Sequence, residues 1–251
     1  MGVVLIELSG KTALVTGAAK RIGRAIASGL AREGVNVVVH YNRSRFEAEK
    51  LQKELTDLGV KSWLVQADLG SSDSCTEIIK KSAGLAGSLD ILVNNASVFF
   101  PLDIKAVKLE DIEAEMLTNA WAPFLLTRCF SEELRSGSIV NILDTRIVGY
   151  DFNHFAYYLS KRMLEVLTMS MALKLAPNIT VNGVAPGLIL PPEGKDFSYL
   201  EQKKDTVPMK KYGSPSDVVD AVLFLIRSQY ITGQVIYVDG GKHLIQTQEG
   251  I

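Results

Sequence analysis

Tyr157 and Lys161 stand four residues apart, the interval that places two side chains on one face of a helix. A free tyrosine titrates near 10, too high to trade protons easily at neutral pH. A neighbouring ammonium favours the phenolate and brings that value towards the working range. Tyr-x-x-x-Lys also arises by chance in helices, and Tyr158 beside it fits a core position. Asp144 and Asp151 precede the pair. A carboxyl near a phenol can orient it or pass it a proton, while an Asp at a strand end can equally cap a turn.

A second group with chemical capacity is Thr16-Gly17-Ala18-Ala19-Lys20-Arg21-Ile22-Gly23-Arg24-Ala25. Ahead of it, Lys11 to Val15 is a short apolar run of the kind a buried parallel strand shows. Behind it, Ile22, Ile26 and Leu30 recur at a helical interval. A strand that turns through glycine into a helix presents unpaired N–H groups and the positive end of the helix dipole, which suits a phosphate. Gly17 and Gly23 occupy the outer positions of a dinucleotide fingerprint, but Arg21 replaces an inner glycine. A plain glycine turn is the alternative.

The third group is His40-Tyr41-Asn42-Arg43-Ser44, at the end of the next apolar run. A site for the free ribose hydroxyls of NAD carries an acid here, and none appears before Glu47. Arg43 and the Ser44 hydroxyl suit a 2′-phosphate instead, which favours NADP(H) over NAD. A solvated arginine in a surface loop is the other reading.

These groups need a scaffold whose strand ends converge. Strand patterns at Val35–Val39, Trp63–Gln66, Leu89–Val93, Ser138–Leu143, Ile179–Val184 and Gln234–Val238 follow the first. Helical patterns alternate with them: Arg45 to Leu58, stopped at Gly59; from Ser71 or Ser72 towards Ala83; an amphipathic stretch from about Leu109 to Leu134; Phe155 to Leu175, ended by Pro177; and Ser214-Pro215 to Arg227. The alternation predicts an α/β fold, a doubly wound parallel sheet with helices on both faces. Residues 1–251 read as a single domain, with a long functional loop over about 186–208 that is rich in proline. Ligands on such sheets bind beyond the C-terminal ends of the strands.

The chain of 251 residues is 47% hydrophobic, enough for one sizeable core, and its net charge of -1 gives no reason to expect nucleic acid or an anionic membrane as partner. Cys75 and Cys129 make no disulfide framework, and His40, His154 and His243 are too scattered to suggest a metal site. Met1 to Ile6 is apolar but lacks a basic flank and a cleavage motif, and Ile6 stands where myristoylation wants Ser or Thr. A soluble, cytoplasmic protein is expected.

Thr16-Gly17 through Gly23, Asp68-Leu69, Asn94-Asn95-Ala96, Asn119, Tyr157-x-x-x-Lys161, Asn182, Pro186-Gly187, Thr232-Gly233 and Asp239-Gly240-Gly241 together resemble the short-chain dehydrogenase/reductase family, in that family's order and over nearly the whole chain. Thr-Gly-Ala-Ala-Lys-Arg-Ile-Gly, His40 to Ser44, Asp144 in the place of the family's usual serine, and Asn94 to Pro101 are similar to its pteridine reductase branch. Ala176 to Asn182 and Gly187-Leu188-Ile189-Leu190 resemble bacterial dihydromonapterin reductases. The resemblance implies a Rossmann-type domain, NADPH/NADP+ as cofactor, a pterin or folate substrate and a homotetramer.

It also implies roles. Gly17, Lys20, Arg21, Ile22 and Gly23 would hold the pyrophosphate; His40, Tyr41, Asn42, Arg43 and Ser44 the 2′-phosphate end; Asp68 and Leu69 the adenine. Asn95, Ala96, Ser97, Tyr157, Lys161, Pro186, Gly187 and Leu188 would border the nicotinamide half. The substrate would meet Arg21, Ser97, Phe99, Asp144, Tyr157, Gly187 and Leu190, with Phe99 stacked on its ring. Hydride would pass to a ring C=N, with protonation by Asp144 and Tyr157 supported by Lys161 and, through water, Asn119. A reductase of ketones such as 3-oxoacyl thioesters shares Tyr157 and Lys161 and is the first rival. A non-catalytic NADPH-binding sensor is the second, and the intact Asn119, Tyr157 and Lys161 argue against it.

Overall fold

Seven apolar runs become the strands of one sheet: β1 (Thr12–Val15), β2 (Asn36–Tyr41), β3 (Ser62–Gln66), β4 (Ile91–Asn94), β5 (Gly137–Ile142), β6 (Ile179–Pro186) and β7 (Val235–Val238). They lie in the order β3-β2-β1-β4-β5-β6-β7 with each neighbouring pair parallel. The computed structural model describes residues 7–245, so the apolar segment Met1 to Ile6 lies outside the described residues.

The helices are α1 (Arg21–Arg32), α2 (Arg45–Asp57), α3 (Ser72–Ala86), α4 (Leu109–Met116), α5 (Ala122–Glu133), α6 (Phe155–Leu175), α7 (Ser198–Lys203), α8 (Pro215–Arg227) and a short α9 (Lys242–Ile245). Every residue of β1 and β4 is buried, because helices cover both faces of the sheet. Ala13, Val15, Val37, Val39 and Val93 face Ile26 and Leu30 of α1, Leu51 and Leu55 of α2, and Val218 and Val222 of α8. Leu14, Val38, Leu92 and Ile139 face Ile78 and Ile79 of α3, Leu126 and Phe130 of α5, and Ala172 of α6.

β1 pairs with both β2 and β4. The chain therefore winds outwards to β3 and then crosses back, and the crevice between the C-terminal ends of β1 and β4 is the topological switch point where such sheets take ligands.

Three of the differences from the sequence reading bear on the site. β2 continues to Tyr41 because His40 and Tyr41 pair with Val65 and Gln66. The stretch from Leu109 to Leu134 is not one helix: a π segment, Leu117–Trp121, separates α4 from α5. Pro123 has no N–H to give the carbonyl four residues back, at Asn119, and its ring crowds that carbonyl, so the turn widens there. The stretch 186–208 is not a bare loop either. It contains α7 and a 3-10 turn, Lys204–Thr206, anchored by the buried side chains of Leu200 and Val207.

Among the described residues no helix is long and apolar enough to cross a membrane, and no group of three or more His, Cys, Asp or Glu side chains is placed to hold a metal ion.

Candidate active site

The glycine turn is fixed by the neighbouring strand end. The Thr16 hydroxyl donates to Val93 O and accepts the N–H groups of Asn95 at 2.9 Å and Ala96 at 3.0 Å. The Asn95 side-chain amide donates to the carbonyls of Thr16 and Gly17 at 2.9 and 3.2 Å. Gly17 has φ +61°, where a side chain is strained, and a Cβ at Gly23 would collide with the Asn95 amide and the Gly17 carbonyl, so both positions favour glycine. α1, whose first turn contains Gly23, begins with no acidic residue in that turn, which leaves its N–H groups and dipole free to meet an anion.

Arg21 is the exception in this turn. Its φ of 54° lies in the left-handed region, which costs a non-glycine residue about 1–3 kcal/mol. Its guanidinium reaches 170 positions along the chain to donate to Pro191 O at 2.7 Å, tying the turn to the segment after β6.

His40 is not a surface ligand. It is 2% exposed, its Nδ1 accepts the Gly17 N–H at 3.0 Å, and its Nε2 lies 3.2 Å from Ala67 O. Burial pushes its pKa down to about 4 and keeps the imidazole neutral. It braces the turn from inside, and the reading of His40 as a direct phosphate ligand is corrected. Tyr41 is buried as well. Arg43 is exposed, Asn42 and Ser44 are half-buried, and the Ser44 hydroxyl makes no capping bond to α2. Lys20 lies 2.9 Å from the Glu47 carboxylate and so neutralises the first acid after β2. The Asp68 carboxylate accepts the Gly70 N–H at 3.0 Å at the surface, whereas the Leu69 side chain packs into the core and does not face the crevice.

On the other side of the crevice, Asp144 follows β5 and caps a 3-10 turn, Thr145–Ile147. Its carboxylate accepts the Arg146 backbone N–H at 2.8 Å, meets the Arg146 guanidinium at 3.3 Å, and accepts the Tyr157 hydroxyl at 3.1 Å. Burial and then the Asp144 charge raise Tyr157 well above its usual value. The direction is opposite to the lowering expected from a neighbouring ammonium alone. The Lys161 ammonium donates to Ile142 O at 2.8 Å and stands 5.7 Å from the centre of the Tyr157 ring, and its own pKa is lowered by burial to about 8. Tyr157 is a phenol that donates to a carboxylate.

Phe99, on the segment after β4, is half-exposed, edge-on to Tyr157 at 4.7 Å and stacked on His154 at 4.9 Å, with the Arg146 guanidinium 5.7 Å from its ring centre. Asp151 does not reach Tyr157. It is fully buried and accepts the N–H groups of Asn153 and His154, and Arg146 and the His154 ring also stand against it. Burial alone would raise its pKa, but His154 and Arg146 outweigh that and hold it below the usual carboxylate range.

Asn119, buried in the π segment, donates to Val98 O at 2.8 Å and to the Ser160 hydroxyl at 3.0 Å. Its oxygen accepts the Val98 N–H at 2.8 Å and the Ser97 hydroxyl at 3.0 Å. All the hydrogen-bonding positions of this side chain are taken within the protein. Asn119 thereby fixes the segment that carries Ser97 and Phe99. Ala96 stands against Gly17. At the end of β6, the Gly187 N–H donates to Val238 O at 3.0 Å, and a Cβ there would stand 2.6 Å from Asp239 Cβ. Pro186 is buried; Leu188 and Leu190 are half-buried, and Leu190 packs towards the α1 side of the core. A pocket of 120 Å³ opens between Arg146, Leu188 and α7.

Two groups escaped the sequence reading. Arg146 pairs with Asp144 from two residues away, a spacing that signals nothing until the 3-10 turn is known. Glu115 is 0% exposed and accepts the Phe100 N–H at 2.6 Å. Its one signal was an acid four residues before Asn119 on the buried side of an amphipathic pattern.

The family model described as Enoyl-(Acyl carrier protein) reductase matches residues 17–243. The chain belongs to the short-chain dehydrogenase/reductase family. It is 36% identical over 244 residues to the 3-oxoacyl-[acyl-carrier-protein] reductase FabG of Staphylococcus epidermidis, covering 93% of this chain and 99% of that protein. It is 35% identical over 277 residues to Pteridine reductase 1 of Leishmania tarentolae, covering 92% of this chain and 96% of that one. Among solved structures it is similar to the FolM Alternative dihydrofolate reductase 1 of Brucella canis complexed with NADP, with a TM-score of 0.89 and 33% identity over 95% of this chain and 96% of that one. This short-chain dehydrogenase/reductase is an oxidoreductase, and the family's nicotinamide dinucleotide belongs at the switch point.

Proposed function

We propose that this chain is an NADPH-dependent reductase of pteridines: a dihydropterin, a dihydromonapterin or dihydrofolate. The observation that carries the reading is the hydrogen bond from the Tyr157 hydroxyl to the Asp144 carboxylate, made beside the half-exposed ring of Phe99. A ketone needs only a donor for its oxygen. A pteridine ring offers both a nitrogen that must gain a proton and N–H groups that need an acceptor, and a phenol beside a carboxylate answers both. The names of two relatives, a pteridine reductase and an alternative dihydrofolate reductase, support the same choice.

The residues fit the cofactor. A turn with no room for a Cβ at Gly23, leading to a helix start without acid, suits a pyrophosphate. Exposed Arg43 and the uncommitted Ser44 hydroxyl suit a 2′-phosphate, and Lys161 a ribose hydroxyl. NADPH supplies a hydride when bound. Tyr157 hands its proton to the ring nitrogen, Asp144 accepts a ring N–H, Arg146 balances the Asp144 charge, and Phe99 provides a flat wall. Holding donor and acceptor in contact is the main catalytic device.

A ketoreductase of 3-oxoacyl thioesters is the second reading, favoured by the 36% identity to FabG. Purified protein is expected to oxidise NADPH with dihydropterin or dihydrofolate at a kcat/KM at least about tenfold above that with an acetoacetyl thioester. Equal or reversed rates would remove the pteridine assignment. The proposal extends to a single-domain, cytoplasmic homotetramer. Free, buried Cys75 and Cys129 suit a reducing compartment, and Val166, Met169 and Leu173 expose an apolar stripe along α6. Light scattering that gives the mass of one chain would remove the tetramer.

A further inference from the structure

Glu115 and Asn119 lie one helical turn apart, both 0% exposed, at the junction of α4 and the π segment. Each holds backbone of the segment after β4. Asn119 takes both the N–H and the carbonyl of Val98, and the Glu115 carboxyl takes the N–H of Phe100 at 2.6 Å. The two clamped residues flank Phe99, whose ring emerges between them to meet Tyr157 edge-on at 4.7 Å. We infer that Glu115 is a positioning residue for substrate: by holding the Phe100 N–H, it fixes the ring of Phe99 and with it the plane on which a flat heteroaromatic substrate lies. The substrate half of this inference rests on the pteridine reading; the control of the segment does not.

A buried acid is costly unless it does something that an apolar residue cannot. Only one Glu115 oxygen is bonded; the other, Oε2, is buried with no hydrogen-bond partner among the described residues. Burial drives the carboxyl up to about 7, against the Phe100 N–H and the charges of His154 and Lys161, which favour its ionised form, while Asp111 opposes it. Leucine or methionine would fill this volume without the penalty, but neither can accept an N–H.

The test uses Glu115→Met, which keeps the bulk and removes the acceptor, and Glu115→Gln, which keeps an acceptor oxygen. With NADPH and a dihydropterin, E115M is expected to raise the substrate KM about tenfold, with kcat within about threefold and the KM for NADPH within about twofold. E115Q is expected to return the substrate KM to within about twofold of wild type. On a Phe99→Ala background, E115M should add less than about twofold, because the two act through one ring. An unchanged KM in E115M, a fall in kcat alone, or an E115M effect undiminished on the F99A background would each overturn the inference.

Amide hydrogen exchange covers the remaining cases. The wild-type Phe100 amide is expected to be as protected as the amides of α4, and rapid exchange there overturns the inference even if E115M does not fold. If the wild-type protein reduces no pteridine, the functional reading falls. Exchange over 97–101 then decides: faster exchange in E115M with α4 still protected supports the clamp, and unchanged protection overturns it.

Discussion

The turn from Thr16 to Gly23 and the cleft around Tyr157 share one edge of the sheet, but they are held by different means. In the turn, backbone carries the shape: Gly17 takes a positive φ, Gly23 lacks room for a Cβ, and Thr16, Asn95 and buried His40 grip main-chain N–H and carbonyl groups. In the cleft, side chains carry it. Asp144, Arg146, Asp151 and His154 are joined by ion pairs and hydrogen bonds, and Tyr157, Phe99 and Glu115 arrive from three further places in the chain. Main-chain geometry suits the dinucleotide of the family, whereas a web of side chains can be rewired one residue at a time. The comparison predicts that damage to the two regions will look different.

Tyr157→Phe gives the largest effect. It removes the one phenolic donor to Asp144, so kcat for the pteridine should fall by about 10²- to 10⁴-fold while the Kd for NADPH, read by fluorescence, stays within about threefold. A variant that keeps its turnover would take the proton donor out of this cleft.

Next in size is an opposition in pH dependence. In the turn, His40 titrates near 4 in place of 6.5, so the native protein refuses a proton that the unfolded chain accepts. Stability is lost as pH falls from about 6.5 to about 4, by up to about 3 kcal/mol. In the cleft, Glu115 keeps its proton up to about 7 in place of 4.5. The unfolded chain releases that proton first, so stability is lost as pH rises from about 4.5 to about 7, by a similar amount of about 3 kcal/mol. Denaturant titrations of wild type and Glu115→Gln should match near pH 4.5 and diverge until E115Q leads at pH 8. Parallel curves would show that Glu115 titrates normally.

Arg43→Asp should weaken NADPH binding by about ten- to a hundredfold while leaving NADH nearly untouched. Equal losses for both cofactors would place the 2′-phosphate elsewhere. The smallest effect concerns strain in the turn. Arg21→Ala and Arg21→Gly both lose the bond to Pro191, but only glycine relaxes at φ 54°, so the glycine variant should be the more stable by about 1 kcal/mol in urea. Equal stabilities would show that the turn moves when the arginine is removed.

The scaffold was legible in the chain because strands covered on both faces read as unbroken apolar runs, and Gly34 and Gly59 mark where helices stop. The Gly17–Gly23 turn and the Tyr157/Lys161 spacing were legible because each is local. What stayed hidden depended on distance or register. His40 read as part of the 2′-phosphate end, and only its pairing with Val65 in the sheet shows that it turns inward beneath Gly17. The break at Asn119 escaped because helical periodicity tolerates one widened turn, although Pro123 was its cause. Glu115 and Arg146 escaped because their partners, Phe100 and Asp144, become neighbours only when a helix or a 3-10 turn forms.

Because all the strands run parallel, each ends on the edge of the sheet that holds the crevice, and the helices carry the chain back to the opposite rim before the next strand begins. Gly59, after α2, and Gly87, after α3, sit on that far rim with φ of +90° and +84°, and a Cβ at either would touch nothing within 4 Å. That rim is the natural handle of the molecule. A purification tag, a fluorophore or a tether to a solid support introduced beside either glycine, and not at it because a side chain is strained at these φ values, would hang from the rim opposite the crevice and leave the working edge free to face solution.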